Sequence, residues 1–186
     1  MAMAATTPAL EARLDDLFTR LVHGVSAYVL EAQPYVEPED AALLGRLRAV
    51  REMDAHHATL IADLIRSLDL VPEAGAFPYW YRDLNYLTVP YLAAVVADAA
   101  REDVERLDAL LGLWPGDLAM GCSLLERLRR ERSELADSLA EEARLARARG
   151  AEGYARAAVE AQETREAIRA RAKAVGEAAK KKAGAA

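Results

Sequence analysis

A single cysteine, Cys122, stands among the 186 residues. That excludes an internal disulfide and any cysteine-built zinc site, since both need several thiols. Its setting in LAMGCSLLERL reads as a small residue within a helix, not as a reactive thiol. Excess positive charge is also missing: Lys and Arg number 24 against 30 Asp and Glu, for a formal net charge of −6. A general nucleic-acid partner is therefore not expected, because phosphate contacts need clustered cations. No apolar run approaches the ~18 residues that span a bilayer; VPYLAAVVADAA is interrupted at Asp98. No membrane partner is expected either. The opening MAMAATTPALEARLDD lacks a basic segment followed by an apolar stretch, so a cytoplasmic location is expected. Glycine-rich phosphate loops and Gly-x-Ser-x-Gly elbows are absent, and Ser26, Ser67, Ser123, Ser133 and Ser138 all stand in helical contexts. Nucleotide-binding and serine-hydrolase classes fall away.

What remains favours helices. Aromatics make up 6%, hydrophobic residues 53% and charged residues 29%, with Ala, Leu, Glu and Arg dominant. These side chains lose little rotamer freedom in a helix. The length suits one domain with a real core. A first helix is predicted from Thr7-Pro8 to Gln33-Pro34, with Leu10, Leu14, Leu17, Leu21, Val25 and Tyr28 on one face. Pro38-Glu39-Asp40 opens a second, whose stripe is Leu43, Leu47, Val50, Asp54, His57, Ile61, Leu64 and Leu68. Residues 71–87, VPEAGAFPYWYRDLNYL, hold Pro72, Gly75 and Pro78 and form the least helical stretch. A third helix begins at Thr88-Val89-Pro90 and carries Val89, Leu92, Val96, Ala99, Asp103, Leu107 and Leu110. After the turn GLWPGD, a fourth presents Leu118, Cys122, Leu125, Leu128, Leu135 and Leu139 and runs to Gly150. A fifth is predicted beyond Gly153, with Tyr154, Ala157, Ala161, Ile168, Ala172 and Val175 on an alanine-rich stripe that buries little. The expected organisation is a bundle over 1–149, a C-terminal helix over 150–179 and a disordered Lys-rich tail over 180–186.

Connection lengths set the topology. Short links pair the first helix with the second and the third with the fourth, as antiparallel hairpins. The long segment between the pairs can run back along the bundle at up to ~3.3 Å per residue. The second and third helices then start at the same end. Asp54 and Asp103 each lie about sixteen residues in, hence at one depth for a rise of 1.5 Å per residue. Folding back the other two helices brings Glu126, Arg20 and His23 near that depth.

Asp54-x-x-His57 sets a carboxylate and an imidazole on one helix face, where both can reach one ion. Together with the hairpin–crossover–hairpin order, this spacing resembles the ferritin-like and rubrerythrin-like four-helix bundles. The resemblance implies an all-α, ferritin-like antiparallel four-helix bundle, with a long crossover between helices 2 and 3 and an additional C-terminal helix. It implies bound iron or manganese and oxygen, peroxide or iron-storage chemistry. In that family the first and third helices each give a lone carboxylate, and the second and fourth each give a carboxylate-x-x-His. The metal candidates are then Asp54, His57, Asp103 and Glu126. The sequence departs from the pattern at Asp54, where Glu is usual, and at Arg129, which stands three residues after Glu126 where His belongs. The first helix has no carboxylate at the right depth, since Glu31 lies near the turn and Asp16 is shallow.

A metal-free reading of the same residues stays open. Asp54 can pair with Arg20, and Asp103 or Glu126 with Arg106 or Arg129, setting register without an ion. Glu52 and His56 lie off the stripe and read as a solvated face. Phe77, Tyr79, Trp80, Tyr81 and Tyr86 form either a partner site or the packing surface of the crossover. Tyr28 and Tyr91 are core residues or neighbours of a metal. Two function classes follow: a bundle with a reduced iron or manganese site, or a metal-free interaction module using the crossover aromatics or the C-terminal helix. No catalytic role is assigned, and a homodimer is the expected assembly.

Overall fold

The computed structural model describes residues 8–31, 34–76, 78, 81, 84, 87–115 and 118–183, with backbone alone from 154 onward. Among the described residues five α-helices follow in order: α1 (Pro8–Val22), α2 (Val25–Glu31), α3 (Ala41–Ser67), α4 (Val89–Leu113) and α5 (Ala119–Ala183). A 3-10 turn over Pro38–Asp40 leads into α3. The all-α class and the bundle topology are those the sequence implies.

The predicted first helix is in fact two. His23 N–H closes α1 on the Thr19 carbonyl at 2.8 Å, and Ala27 N–H restarts the ladder on the Gly24 carbonyl at 3.0 Å. A Cβ at position 24 would stand 2.4 Å from the Arg20 carbonyl oxygen, so the break needs glycine. Val25, Ser26 and Val29 are the buried residues of α2. The small break therefore carries a hydroxyl, Ser26, into the core.

α3 ends where Asp69 adopts φ 58°. Leu70 N–H then reaches the Ile65 carbonyl and Asp69 N–H the Arg66 carbonyl, the Schellman pattern that satisfies a helix C-terminus. From there the chain travels the length of α1 and α2. Glu73 N–H donates to the Asp15 carboxylate at 3.3 Å, and Gly75 N–H to the Thr19 hydroxyl at 2.9 Å. Tyr81 packs on Tyr28 with ring centres 5.8 Å apart, and Thr88 bridges to Tyr35. Partners 15, 19, 28 and 35 rise together with 73, 75, 81 and 88. The crossover thus runs end to end, which is what makes α3 and α4 start at the same end. Of its aromatic stretch, Tyr81 and Leu84 are buried in the core, while Phe77, Tyr79, Trp80 and Tyr86 lie outside the described residues.

At the α4–α5 turn the Trp114 indole N–H donates to the Leu118 carbonyl at 2.8 Å. Gly121 lets the indole lie flush on α5, since a Cβ there would meet the ring at 2.0 Å. α5 then runs without interruption through Gly150 and Gly153, so the separate fifth helix predicted beyond Gly153 does not form. Two glycines cost a helix about 1 kcal/mol each relative to alanine, too little to stop one flanked by Ala, Arg and Glu. α5 also includes Lys180, Lys181 and Lys182, expected from sequence as a frayed tail; residues 184–186 lie outside the described set. The predicted Tyr154-to-Val175 stripe falls among side chains that are not described. The chain divides into compact units at Met1–Ala146 and Arg147–Ala186.

Within the first unit the buried side chains form two clusters. One gathers Leu10, Leu14, Leu17, Leu21, Ala58, Ile61, Ile65, Leu107, Leu110, Leu125 and Leu128. The other includes Val25, Val29, Val50, Val96, Ala100, Leu135 and Leu139. Something divides them.

Candidate functional site

Each bundle helix changes cluster at a polar residue. Along α3, Val50 and Ala58 belong to different clusters, with Asp54 and His57 between them. On α5, Leu128 and Leu135 flank Arg132, and on α4 Asp103 lies between Ala100 and Leu107. At the α1–α2 break, Arg20 and Ser26 bracket the passage from Leu21 to Val25. The polar side chains thus make one layer across the bundle, and its centre is deeply buried. Arg132 is 3% exposed, Asp54 5% and Asp103 6%.

Arg132 is the hub. Its Nη2 lies 2.5 Å from Asp54 Oδ1, and its Nε lies 3.9 Å from Asp103 Oδ2. The Ser26 hydroxyl donates to the other Asp54 oxygen. Arg20 Nε donates to Asp103 Oδ1 at 2.7 Å, and Arg20 Nη2 reaches Glu102 at 3.1 Å. Two guanidinium groups thus face two buried carboxylates, and their charges cancel. Burial pushes the Asp54 carboxyl upward, while the Arg132 charge and the Ser26 hydroxyl pull back. Burial opposes the Arg20 charge, but Asp103, with help from Glu102 and Tyr81, outweighs it and raises the guanidinium. Beside the pairs lies a void of about 20 Å³, lined in part by Arg20, Ser26, Asp54, Tyr81, Asp103 and Arg132. It has room for one water.

His57 forms the layer's edge. It is 2% exposed, and its Nε2 lies 2.7 Å from Glu131 Oε2. Burial, and then the nearby Arg132 charge, hold its pKa below the ordinary value, against the pull of Glu131. The ring is accordingly neutral at pH 7, with Nε2–H donated to the carboxylate. Nδ1 is left as a buried lone pair with no hydrogen-bond partner. Glu131 faces outward into a cleft of about 360 Å³ between α3 and α5, which Arg46, Met53, Leu135 and Ser138 also line.

Of the four metal candidates, the layer gathers Asp54, His57 and Asp103. Glu126 is not among them: it is exposed, with the Cys122 thiol donating to it at 3.8 Å. Burial and this carboxylate raise the thiol's pKa, as befits an unreactive cysteine. Glu126 precedes Arg132 by six residues, roughly 9 Å of helix. Counting from the α4–α5 turn does not separate the two positions: Asp103 lies ten residues before Leu113, with Glu126 seven and Arg132 thirteen after Ala119. Burial does, since Arg132 is 3% exposed and Glu126 lies on the surface. The ion pairs also differ from those expected. Arg20 takes Asp103 instead of Asp54, Arg106 pairs with Asp16 at 2.9 Å, and Arg129 pairs with Asp108. Glu52 and His56 face solvent, as expected. Tyr91 is 47% exposed and Tyr28 packs on Tyr81.

Arg132 was legible but overlooked. The fourth stripe steps from Leu128 to Leu135, and position 132 completes its four- and three-residue spacing. An arginine in an apolar stripe facing two striped aspartates is the signal.

The donor set does not fit a two-metal centre. The second helix offers Asp54-x-x-His57 and the third Asp103, but the first offers Ser26 and Arg20, with no carboxylate. The fourth offers Arg132-x-x-Leu135. A guanidinium has five donors and no lone pair for a metal, and its charge opposes a second cation. Among the described residues no three His, Cys, Asp or Glu side chains gather at one point suitable for an ion.

The fold is that of the ferritin-like helical bundles. Among solved structures, the chain is similar to a bacterioferritin from Mycobacterium tuberculosis, with 18% identity, a TM-score of 0.60, and coverage of 76% of this chain and 88% of that one. It is also similar to a dodecameric thioferritin, a bacterioferritin-related protein from Bacteroides fragilis. There the identity is 20% and the TM-score 0.59, over 78% of this chain and 89% of that one. No protein-family profile matches the sequence, and no curated protein matches it. No helix among the described residues is long and apolar enough to cross a membrane.

Proposed function

We propose that this protein is a ferritin-like bundle working as a helical interaction or scaffold module, with an ion-paired layer in place of a metal centre. The observation that carries this reading is the Arg132 guanidinium, buried between Asp54 and Asp103. A permanent cation there completes the charge balance that iron or manganese would otherwise supply. Self-association is part of the proposal. Tyr35, Val36 and Tyr91 are 58%, 39% and 47% exposed, large apolar groups on the surface near one end of α4. One of the similar structures is a dodecamer, and the 150–179 segment of α5 is proposed as the second contact element. A homodimer in the cytoplasm is the simplest assembly consistent with this reading.

The test is metal analysis of the purified chain after incubation with Fe(II) or Mn(II), alongside melting with and without chelator. Substoichiometric metal and an unchanged melt support the proposal. Sedimentation of a chain ending at Gly150 should show weakened self-association. An assembly that survives that truncation unchanged would remove the 150–179 segment of α5 from the interface.

One observation favours a second reading, a reduced iron or manganese site on Asp54, His57, Asp103 and Glu126. The His57 Nδ1 lone pair is buried without a partner, and bare imidazole nitrogens are good ligands. This reading needs Arg132 to leave the layer and Glu126 to enter it. Stoichiometric metal, lost in an Asp54→Ala, His57→Ala double variant, would establish it over the first.

A further inference from the structure

We infer that the cationic end of α5 in one copy of the chain docks on the exposed Tyr35, Val36 and Tyr91 patch of a second copy, and that a two-fold exchange of these contacts closes a dimer. The inference rests on the self-association reading above and deepens it, by naming which surfaces meet and the charge that pairs them.

Charge divides at the boundary between the two compact units. Residues 1–146 hold 14 Lys and Arg against 25 Asp and Glu, a net −11, whereas residues 147–186 hold ten against five, a net +5. The whole positive excess lies in 165–182, where seven cations accompany two acids. Among its described residues the second unit contains one element, the end of α5, which makes about 55 Å of helix from Arg147 to Ala183. Helical spacing sets Tyr154, Ile168 and Val175 on one face, with Arg165, Arg171 and Lys182 along its edges. A lone helix has no second element in its own unit to cover that face. On the first unit, Tyr35, Val36 and Tyr91 are large apolar groups left exposed around the start of α4. The Tyr35 N–H donates to the Leu87 carbonyl at 3.2 Å, so the patch is a fixed part of the bundle. Its surroundings are acidic. Glu31 and Glu39 are exposed and Glu37 is half-buried, and among the described residues none of the three makes an ion pair. No Lys or Arg occurs between Arg20 and Arg46. By contrast Asp63, Asp98 and Glu141 each pair with an arginine on their own helix. Two arms side by side offer each other no excess of acid, and two patches offer each other no cation. Arm on patch supplies both the apolar and the charged contacts. Each chain carries one of each surface, so two copies can exchange arms symmetrically with neither surface left over.

The experiment is sedimentation of the full chain, with and without nuclease treatment, beside two charge-reversed variants. One carries Glu31→Lys, Glu37→Lys and Glu39→Lys; the other carries Arg165→Glu, Arg171→Glu and Lys182→Glu. The intact chain should dimerise in about 50 mM salt, and at least about tenfold more weakly in about 500 mM. Each variant alone should dimerise at least about tenfold more weakly than the intact chain. An equimolar mixture of the two should recover the dimer, since a glutamate arm then meets a lysine patch and the natural arm a natural patch. Circular dichroism checks that each variant keeps its helix content. Where a reversed set does not fold, the same positions changed to Gln replace it, with a smaller loss in the same direction. Association unchanged in either variant, or a mixture no stronger than the variants alone, overturns the inference. Association that nuclease abolishes also overturns it, and would make the arm a ligand for nucleic acid. Those outcomes leave the metal-free layer, judged by its own metal assay, standing. An intact chain that stays monomeric at every concentration overturns the inference and the self-association reading together.

Discussion

Val50 and Ala58 sit on the same face of α3 as Asp54, and Leu128 and Leu135 on the same face of α5 as Arg132. The apolar residues belong to two clusters whose contacts are many, weak and undirected. Those between the clusters are few, strong and mutually dependent. Losing one methyl-bearing side chain from an apolar cluster leaves a cavity that neighbours partly fill. A charged group lost from the layer leaves its partner buried and uncompensated. The lesson is that depth and periodicity alone do not make a core residue interchangeable. The apolar clusters set how tightly the helices pack; the charged layer fixes which residues face one another.

The contrast can be broken most sharply at Arg132. Arg132→Met is expected to lower unfolding stability by about 3–5 kcal/mol, because it strands the Asp54 charge. Removing the whole group, with Ser26→Ala, Asp54→Leu and Arg132→Met together, should return most of that loss. Urea unfolding of both variants checks it, and a triple variant no better than the single one would contradict the pairing. In an apolar cluster, Leu92→Ala should lose about 2–5 kcal/mol through its cavity, with no partner change able to restore it. Gly24→Ala comes next, at about 1–3 kcal/mol, since its methyl would press on the Arg20 carbonyl and shift Ser26 from Asp54.

The smallest effect concerns pH. The folded-state pKa of His57 lies below its unfolded value, so the unfolded chain binds more protons as pH falls. Its contribution is fully present above about pH 6.5, the ordinary histidine value, and is lost as pH drops below it. Asp54, with its pKa raised, acts in the opposite sense: the folded state binds the extra proton, and stability is lost as pH rises through its folded value. The difference between the intact chain and His57→Gln isolates the histidine. Melting temperatures from pH 7.5 to 5.5 should fall more steeply for the intact chain, and parallel curves would count against a neutral His57.

Much of this architecture was legible from residue spacing. The Leu10-Leu14-Leu17-Leu21 stripe, the full-length crossover and the burial of Asp54, His57 and Asp103 all follow from helical periodicity and connection length. Glycine was misleading in both directions, for a physical reason. Gly24 breaks a helix that looks continuous because a backbone carbonyl lies where its Cβ would be. Gly150 and Gly153 have nothing within 4 Å of theirs, and the helix passes through. Folding the fourth helix back from the turn brings Glu126 as close to the depth of Asp103 as position 132, and the resemblance then favours the carboxylate; only burial, exposed at 126 and buried at 132, separates them. Arg132 escaped notice because a stripe read for apolar residues and metal ligands has no place for a cation, and only its partners on other helices show why one belongs there.

Anomalous diffraction from crystals grown with manganese would put the central claim to its most direct test. The expected map has guanidinium density between Asp54 and Asp103 and no anomalous peak in that layer. A manganese peak between the two carboxylates, with Arg132 turned away, would contradict it.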